Sequence, residues 1–258
     1  MDVNIGEGDL SMRDEEFTLI GRNPVIEAFR AGKAIDRLFV QDGLHDGPIS
    51  TILREAKKAG VKPEFVKKER LDEIAGQGAS HQGVAAYLAA FHYSSVQEML
   101  DAAHEKNEDP FLFILDGIED PHNLGAMIRT ANLVGAHGVI IRERRAVGLT
   151  STVAKSSAGA LEHTRVAKVT NIGQTIEELK KEGMWFVCAD MDGELMYKLN
   201  LKGAIGLVIG NEGEGVSRLV KEKCDMVASI PMKGDIDSLN ASVACGVLAY
   251  EIVRQRLN

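Results

Sequence analysis

The sequence is poor in the residues that build crosslinks and metal centres. Its three cysteines, Cys188, Cys224 and Cys245, are far apart and odd in number. Such a set indicates neither a disulfide framework nor a zinc site, and it favours a reducing compartment. The seven histidines are scattered, and none has the spacing of a metal ligand. We therefore expect a cytoplasmic protein that binds no metal.

Long apolar runs are also missing. No stretch approaches the roughly 18 apolar residues that a membrane span requires, and the N-terminus has no basic segment followed by an apolar one, so we expect neither a signal peptide nor a membrane partner. The motifs H-E-x-x-H, G-x-x-x-x-G-K-[ST] and G-x-S-x-G do not occur. Zinc-dependent hydrolysis, nucleotide hydrolysis and the serine hydrolase mechanism therefore lack their residues.

Aromatic residues make up only 5% of the chain, whereas it has 26 glycines and 45% hydrophobic residues. This balance is typical of tightly wound α/β structure. The net charge of −8 at first argues against a nucleic-acid partner. The acidity is uneven, however: residues 1–16 have one basic residue against six acidic ones, and residues 94–110 have one against five. The rest is near neutral, which permits an RNA partner without demonstrating one.

The order of elements predicts two domains. Residues 1–16 are expected to be disordered, and residues 17–93 alternate between short helices and strands in a small α/β domain. Its first helix is predicted to start with Asn23 as N-cap and to close at Gly32. Residues 94–110 form a charged helical linker. Residues 111–258 alternate between apolar strands and helices, which predicts a parallel sheet covered on both faces.

Three polar loops follow strands of this second domain. They read DGIEDPHNLG, GNEGEGVS and MKGDIDSLN, and the second leads into a predicted helix over GVSRLVKEKC. Ligands of parallel sheets bind beyond the carboxyl ends of the strands. GNEGEG has the wrong order for the dinucleotide motif G-x-G-x-x-G, which disfavours a nicotinamide site. Glu212 and Glu214 would repel a phosphate at the helix start, so a cationic or neutral ligand fits better.

Each polar residue of these loops also has an ordinary structural explanation. Asn123 is placed to be the N-cap of its helix, and Arg129 could be a solvated residue on that helix. Ser238 or Asp237 could cap the closing helix. One cap, however, leaves the other polar groups of DSLNAS unexplained, which favours a site.

Together the three segments resemble, in order, the three motifs of the SpoU (TrmH) family of RNA ribose 2′-O-methyltransferases, in the SPOUT superfamily. The segments are DPHNLGAMIRTA, LVIGNEGEGVSRLV and SIPMKGDIDSLNASVACGVLAYE, and the match covers residues 111–258. GRNPVIEAFRAG in the first domain is similar to the subgroup that includes the bacterial 23S rRNA guanosine 2′-O-methyltransferase. The three motifs in order and the matching first domain make the resemblance specific.

The resemblance implies a deep trefoil knot at the C-terminus, a homodimer and S-adenosylmethionine as methyl donor. The first domain would be an RNA-binding domain similar to certain ribosomal proteins. In this family the closing segment threads through a loop and packs at the dimer interface, where small side chains are needed. That accounts for the small residues of the last helix, Ala241, Ala244, Cys245, Gly246 and Ala249.

The resemblance also assigns roles to individual residues. Arg129 would contact the RNA beside the reacting hydroxyl, in a positioning role, because a guanidinium stays protonated in proteins. Ser238 and Asn240 would orient substrate and cofactor, Asn123 would hold the motif loop, and Glu212 would anchor the site or Arg129. The cofactor would be held by backbone groups around Gly210, Ile230 and Leu239. RNA-binding candidates in the first domain, each equally explained as a solvated residue, are Arg22, Arg30, Lys57, Lys58, Lys67 and Lys68.

The sequence therefore predicts methyl transfer to a ribose 2′-hydroxyl, most specifically to a guanosine of 23S rRNA, free or in a large-subunit assembly intermediate. A tRNA ribose methyltransferase is the alternative within the same chemistry. A ribosome-assembly factor that binds RNA without catalysis is the alternative from another class, and a nicotinamide-dependent oxidoreductase ranks third.

Overall fold

A computed structural model describes residues 18–76, 78–88, 92–235 and 238–257. The chain forms two compact units. The first comprises the residues up to His92 together with Leu149–Ser151, and the second comprises the others from Tyr93 onward. The acidic tail predicted for residues 1–16 lies outside the described residues.

The first unit is a four-stranded sheet with helices on both faces. The strand order is β1-β4-β2-β3, in which β4 runs antiparallel to β1 and β2, while β2 and β3 are parallel. Helices α1 and α2 pack on one face, and α3 packs on the other. The elements are β1 (Thr18–Ile20), α1 (Arg22–Arg30), β2 (Ile35–Gln41), α2 (Gly47–Lys58), β3 (Pro63–Val66), α3 (Lys68–Ala75) and β4 (Val84–Leu88).

Helix α1 starts two residues earlier than predicted. Gly21 precedes the first helical residue with a φ of 95°, and Asn23 lies inside the helix, so the prediction of Asn23 as N-cap is wrong. The left-handed backbone at Gly21 lets the chain turn directly from β1 into the helix, which leaves Asn23 no capping position. Gly32, with a φ of 66°, follows the helix end as predicted.

The second unit is a six-stranded sheet in which every neighbouring pair is parallel, as predicted. The strand order is β10-β8-β9-β5-β6-β7. The elements are α4 (Val96–Glu105), β5 (Phe111–Asp116), α5 (Pro121–Leu133), β6 (Gly138–Arg142), α6 (Ser151–Ser156), β7 (Val166–Val169), α7 (Ile172–Lys181), β8 (Trp185–Leu195), β9 (Ile205–Gly210), α8 (Arg218–Lys221), β10 (Met226–Ser229) and α9 (Ala241–Arg256).

Two differences from the sequence prediction concern short elements. The sequence predicts nothing between β6 and α7, where the structure has α6 and the edge strand β7. Helix α8 spans four residues, whereas the predicted helix covered ten. Such short segments contain too few residues for a hydrophobic period to show. The deep trefoil knot stays a prediction.

The segment predicted to be a linker, residues 94–110, contributes to the core of the second unit. Its helix α4 opens with a capping box between Ser95 and Glu98. Met99 and Leu100 are buried in the main cluster of the sheet. Met99 packs directly on Gly138, where only glycine leaves room for it, because a Cβ on Gly138 would lie 2.2 Å from the Met99 sulfur. Residues 94–110 are therefore part of the helical layer that packs on the sheet of the second unit.

None of the helices in the described part of the chain is long and apolar enough to cross a membrane.

Met99→Ala should destabilise the second unit. Removing a fully buried Met side chain costs about 2–5 kcal/mol of unfolding free energy. Gln97→Ala, on the exposed side of the same helix, is the matched control and should cost less than about 0.5 kcal/mol. Urea denaturation followed by circular dichroism measures both. Equal stabilities of the two variants would show that α4 is a peripheral connector.

Candidate active site

A cleft with a volume of about 370 Å³ opens at the carboxyl ends of β9 and β10, beside the middle of β8. Residues of the second and third predicted loops line it, as does the segment that follows Cys188 in β8. The predicted cofactor residues Gly210, Ile230 and Leu239 all lie in its wall, together with Ser238. The tertiary structure therefore brings four of the predicted residues to one place.

Three polar side chains, one from each predicted loop, meet beside this cleft. Asn123 Nδ2 donates to Glu212 Oε1 at 3.0 Å, and Asn240 Nδ2 donates to Asn123 Oδ1 at 3.0 Å. Asn240 Nδ2 also donates to Glu212 Oε1, and the backbone N–H of Ala241 approaches the same oxygen at 3.4 Å. Asn123 is buried. One carboxylate oxygen thus links residues that are 89 and 28 positions away in the sequence.

Asn123 holds this position because it does not cap its helix. The N-cap of α5 is Asp120, whose side chain accepts from the His122 N–H at 2.9 Å, and Pro121 fills the first helical position. The prediction of Asn123 as N-cap is therefore wrong. Asn123 is instead the third residue of the helix, and its side chain donates a hydrogen bond to Glu212.

Asn240 is the N-cap of α9, a position for which the sequence favoured Ser238 or Asp237. Its Oδ1 accepts from the N–H groups of Ser242 at 3.0 Å and Val243 at 3.3 Å, and from the Ser242 hydroxyl at 2.6 Å. Asp237 lies outside the described residues. Because Asn240 caps the helix with its oxygen, its amide nitrogen remains free to bond Asn123 and Glu212.

The GNEGEG loop folds back tightly on the end of β9. A Cβ on Gly210 would lie 2.0 Å from the carbonyl carbon of Gly215, so only glycine fits there. Asn211 secures the turn, since its Oδ1 accepts from the Gly213 N–H at 2.8 Å and its Nδ2 donates to the Gly117 carbonyl at 3.0 Å. This places Glu212 and Glu214 at the mouth of the cleft. The role of Asn211 was not predicted, although its position directly after a buried strand was a signal.

Arg129 stands apart from these residues. It is exposed on α5, and no hydrogen bond or ion pair joins it to a residue that the structure describes. Glu212, which was expected to anchor the site or Arg129, contacts the two asparagines and the start of α9. These contacts match the expectation that Glu212 anchors the site, and they do not match the expectation that it anchors Arg129.

A second acidic group in the cleft was missed by the sequence analysis. β10 pairs with β8 so that Val227 faces Cys188 while the next residue faces Glu194, and the residues 189–193 bulge outward into the cleft wall. Burial acts to raise the pKa of Asp190. Asp190 also accepts hydrogen bonds from Lys221 Nζ at 2.6 Å and from the Asp192 N–H at 3.0 Å. These two bonds outweigh the effect of burial, so the pKa of Asp190 is lowered. Asp190 thus forms an ion pair with Lys221 in the cleft wall. The acidic run ADMDG directly after the apolar stretch WFVC was the available signal.

Arginines follow the neighbouring strand β6, in the segment RERR. Arg144 and Arg145 are exposed, and the loop is held by a hydrogen bond from the Val147 N–H to the Ile118 carbonyl at 2.9 Å. Arg142 lies 3.6 Å from buried Asp116, whose other oxygen accepts from the Ser217 N–H at 2.9 Å. The same edge of the sheet thus has a basic loop near an acidic cleft.

The chemistry of the cleft suits a ligand with a positive charge and apolar parts. The acids Asp190, Asp192, Glu212 and Glu214 line it together with exposed Met191 and with Met232. Its volume lies within the range of about 300–1,000 Å³ that is usual for small-molecule sites. Among the described residues, no group of three His, Cys, Asp or Glu side chains is placed to hold a metal ion.

Two family models match the chain, and their boundaries follow the two units. The model of the SpoU rRNA methylase family matches residues 110–250. The model described as the RNA 2′-O ribose methyltransferase substrate-binding domain matches residues 18–94. The chain belongs to the SpoU rRNA methylase family. This confirms the resemblance that the three motifs indicated.

Relatives and solved structures agree. YacO of Bacillus subtilis, whose name assigns it to the TrmH family of tRNA/rRNA methyltransferases, is 46% identical over 248 residues, which cover 95% of this chain and 98% of YacO. The SpoU methyltransferase AviRb from Streptomyces viridochromogenes is similar with a TM-score of 0.59 and 26% identity, over 93% of this chain and 90% of AviRb. A second AviRb structure, at 23% identity and the same TM-score and coverage, contains the cofactor AdoMet and supports the fold.

Glu212→Ala should lower the stability of this family member more than Glu214→Ala. Losing the Glu212 carboxylate leaves the buried amide of Asn123 without its acceptor, which costs about 1–3 kcal/mol. Glu214 is an exposed acid in the same loop and serves as the matched control. Differential scanning calorimetry should show a melting temperature lower by about 2–4 °C per kcal/mol for Glu212→Ala. If both variants melt together, the Asn123–Glu212–Asn240 cluster does not support the loops.

Proposed function

We propose that this RNA methyltransferase transfers a methyl group from S-adenosylmethionine to a ribose 2′-hydroxyl of RNA, at a guanosine of 23S rRNA. Family membership supports the reaction class. The observation that carries the proposal is the cluster of Asn123, Glu212 and Asn240, which joins the three family motifs beside the acidic cleft.

The cleft fits the proposed cofactor. S-adenosylmethionine, when bound, supplies an electrophilic methyl group on a positively charged sulfonium. Backbone groups of Gly210, Ile230 and Leu239 would hold it, and the carboxylates of Asp192 and Glu214 in the cleft wall would offset its charge. An anion such as a nucleotide phosphate would meet repulsion there.

The protein's part in the reaction is alignment. The Glu212 carboxylate accepts from Asn123 and Asn240 and so fixes the start of α9 next to Ser238 and Leu239. Ser238 is exposed in the cleft wall, where its hydroxyl can hydrogen-bond the ribose. Arg129 acts through its positive charge on the RNA backbone. Holding donor and acceptor in line is a large source of rate enhancement in such bimolecular transfers.

Charge separation supports an RNA substrate at this edge. The acidic cleft suits the cationic donor, and the exposed Arg144 and Arg145 suit RNA phosphates beside it. The additional domain matched by the substrate-binding model favours rRNA, free or in an assembly intermediate. The alternative, methylation of tRNA, has support in the names of the relatives, which include both RNA classes.

A homodimer is also proposed, and α9 supports it. The helix buries one side on α5 and the sheet through Cys245, Leu248 and Ile252, yet Val243 and Tyr250 on another side are 50% and 54% exposed. Large apolar side chains exposed together on one side of a helix are typical of a surface that another protein covers. A second copy of the chain would cover this side. A cytoplasmic location stays a prediction.

The methyl-transfer assay decides between the substrates. Labelled S-adenosylmethionine is incubated with unmodified 23S rRNA and, in parallel, with unmodified tRNA, followed by nucleoside mass spectrometry. We expect 2′-O-methylguanosine in the rRNA alone. Label in tRNA alone would overturn the substrate, and no transfer to either RNA would favour the non-catalytic alternative.

Arg129→Ala and Asn240→Ala should each reduce kcat by about 10²-fold or more, because misplacing the reacting groups by about 1 Å is enough for such a loss. Arg165→Ala is the control. This exposed arginine directly precedes β7 and so lies at the amino ends of the parallel strands, whereas the site lies at their carboxyl ends. Wild-type rates in Arg129→Ala would remove this residue from the mechanism.

The dimer is tested by sedimentation. Tyr250→Glu introduces a charge on the exposed side of α9 and should shift the protein to monomers in analytical ultracentrifugation, whereas Trp185→Glu, at an exposed aromatic on β8, should not. A monomeric wild-type protein would refute the proposal.

A further inference from the structure

We propose that the first unit contains a binding site for one unstacked nucleotide of the substrate RNA. The inference rests on the proposed function in that it takes RNA as the ligand. The site is a cleft of about 390 Å³, within the range usual for small-molecule pockets. Its wall includes Arg22, Gln41, Lys68, Ser80, His81 and Gln82.

One wall of this cleft is a rigid loop built around a buried histidine. His81 is only 6% exposed. The Gly83 N–H donates to its Nδ1 at 3.0 Å, so the ring carries its proton on Nε2, which faces Asp72 Oδ1 at 3.0 Å. Gly83 packs so closely against the segment after β2 that a Cβ there would lie 2.2 Å from the Leu44 side chain. The polar groups of Ser80 and Gln82 are thus presented from a fixed backbone.

Arg22 fixes the other side of the same loop. Its Nε donates to the Gln82 carbonyl at 2.9 Å, and its Nη2 pairs with Asp46 at 2.7 Å. Gln82 has a φ of 52°, which is uncommon for a residue other than glycine. The guanidinium holds this backbone in place, while its Nη1 has no hydrogen bond to any residue that the structure describes. That nitrogen remains available to a ligand.

Lys68 gives the cleft a cation for an anionic group, beside polar side chains that can form hydrogen bonds. Lys68 is exposed and opens α3, which begins without a side-chain cap, so the first N–H groups of this helix add positive potential. The Arg22 N–H that opens α1 donates to Gln82 Oε1 at 3.4 Å. Asp46 is paired with Arg22, whereas Asp72 accepts a hydrogen bond from His81 and keeps its negative charge in the cleft wall, so Lys68 is the cation placed for a phosphate. A phosphate beside Lys68 and a base edge bonded by the Gln41, Ser80 and Gln82 side chains match the way proteins read unstacked RNA bases.

The structure separates the candidate cations that the sequence could not rank. Arg30 pairs with Glu27 at 2.7 Å and Lys58 with Glu55 at 3.1 Å, each on the surface of its own helix. Lys57 is exposed on α2 and does not line the cleft. Only Arg22 and Lys68 of the six candidates lie in the cleft wall, where they share it with amide and hydroxyl groups.

The test measures RNA binding by the full-length protein without cofactor, for unmodified 23S rRNA and unmodified tRNA, over a series of salt concentrations. Lys68→Ala should weaken binding roughly 5- to 10-fold and reduce the slope of log K against log salt by about 1, as expected for a lost phosphate contact. Gln82→Gly keeps the positive φ and removes the side chain. It should weaken binding roughly 10-fold with an unchanged salt slope, because a base contact releases no counterion.

Lys57→Ala is the matched control and should bind RNA like the wild type within 2-fold. Circular dichroism checks that each variant is folded, and photo-crosslinking with 4-thiouridine-substituted RNA should label the peptide that contains residues 79–83. Binding unchanged in both Lys68→Ala and Gln82→Gly, equal weakening in Lys57→Ala, or binding of neither RNA would overturn the proposal. If Lys68→Ala and Gln82→Gly weaken RNA binding as expected but the wild-type protein transfers no methyl group, only the proposed reaction is refuted. If the wild-type protein methylates RNA and both variants keep its KM for RNA, only the proposed nucleotide site is refuted.

Discussion

The second unit depends on one carboxylate that joins three separate loops. Glu212 accepts from Asn123 and Asn240, and thereby connects the helix after β5, the turn after β9 and the start of the last helix. A carboxylate can accept several hydrogen bonds at once, and charged acceptors form stronger bonds than neutral ones. Because the amide of Asn123 is buried, each member of the cluster is needed to satisfy the others.

Close backbone approach makes this cluster possible. The Gly210–Gly215 contact folds the GNEGEG loop back on its strand, and Gly193 lets the bulge of β8 pass Val227, whose carbonyl oxygen would lie 2.6 Å from any Cβ there. Gly210 and Gly215 lie in the cleft wall, and Gly193 directly follows the wall residues 189–192.

Charge is divided between two neighbouring surfaces of the second unit. The acids Asp190 and Glu212 are each held by hydrogen bonds, Asp190 by Lys221 and Glu212 by the asparagines. The exposed arginines after β6 lie on the loop that bonds the β5 loop. A protein with a net charge of −8 can therefore present a local basic surface to RNA. In the first unit, Asp46 is likewise paired with Arg22, and Lys68 is exposed in the wall of the cleft.

The sequence by itself determined the two-domain α/β organisation, the parallel sheet and the family. Apolar runs such as that of β5 and polar loops after strands are local patterns, and three motifs in order are recognisable without coordinates. Only the tertiary structure decided what the polar residues do. Asn123 satisfied the local pattern of an N-cap as well as Asp120 does, and DSLNAS offered several caps, so local rules could not choose among them. The choice follows from contacts over 28 to 117 residues of sequence, which no local pattern encodes. For the same reason the bulge that brings Asp190 into the cleft, and the cleft that unites Arg22 with Lys68, became visible only in the folded chain.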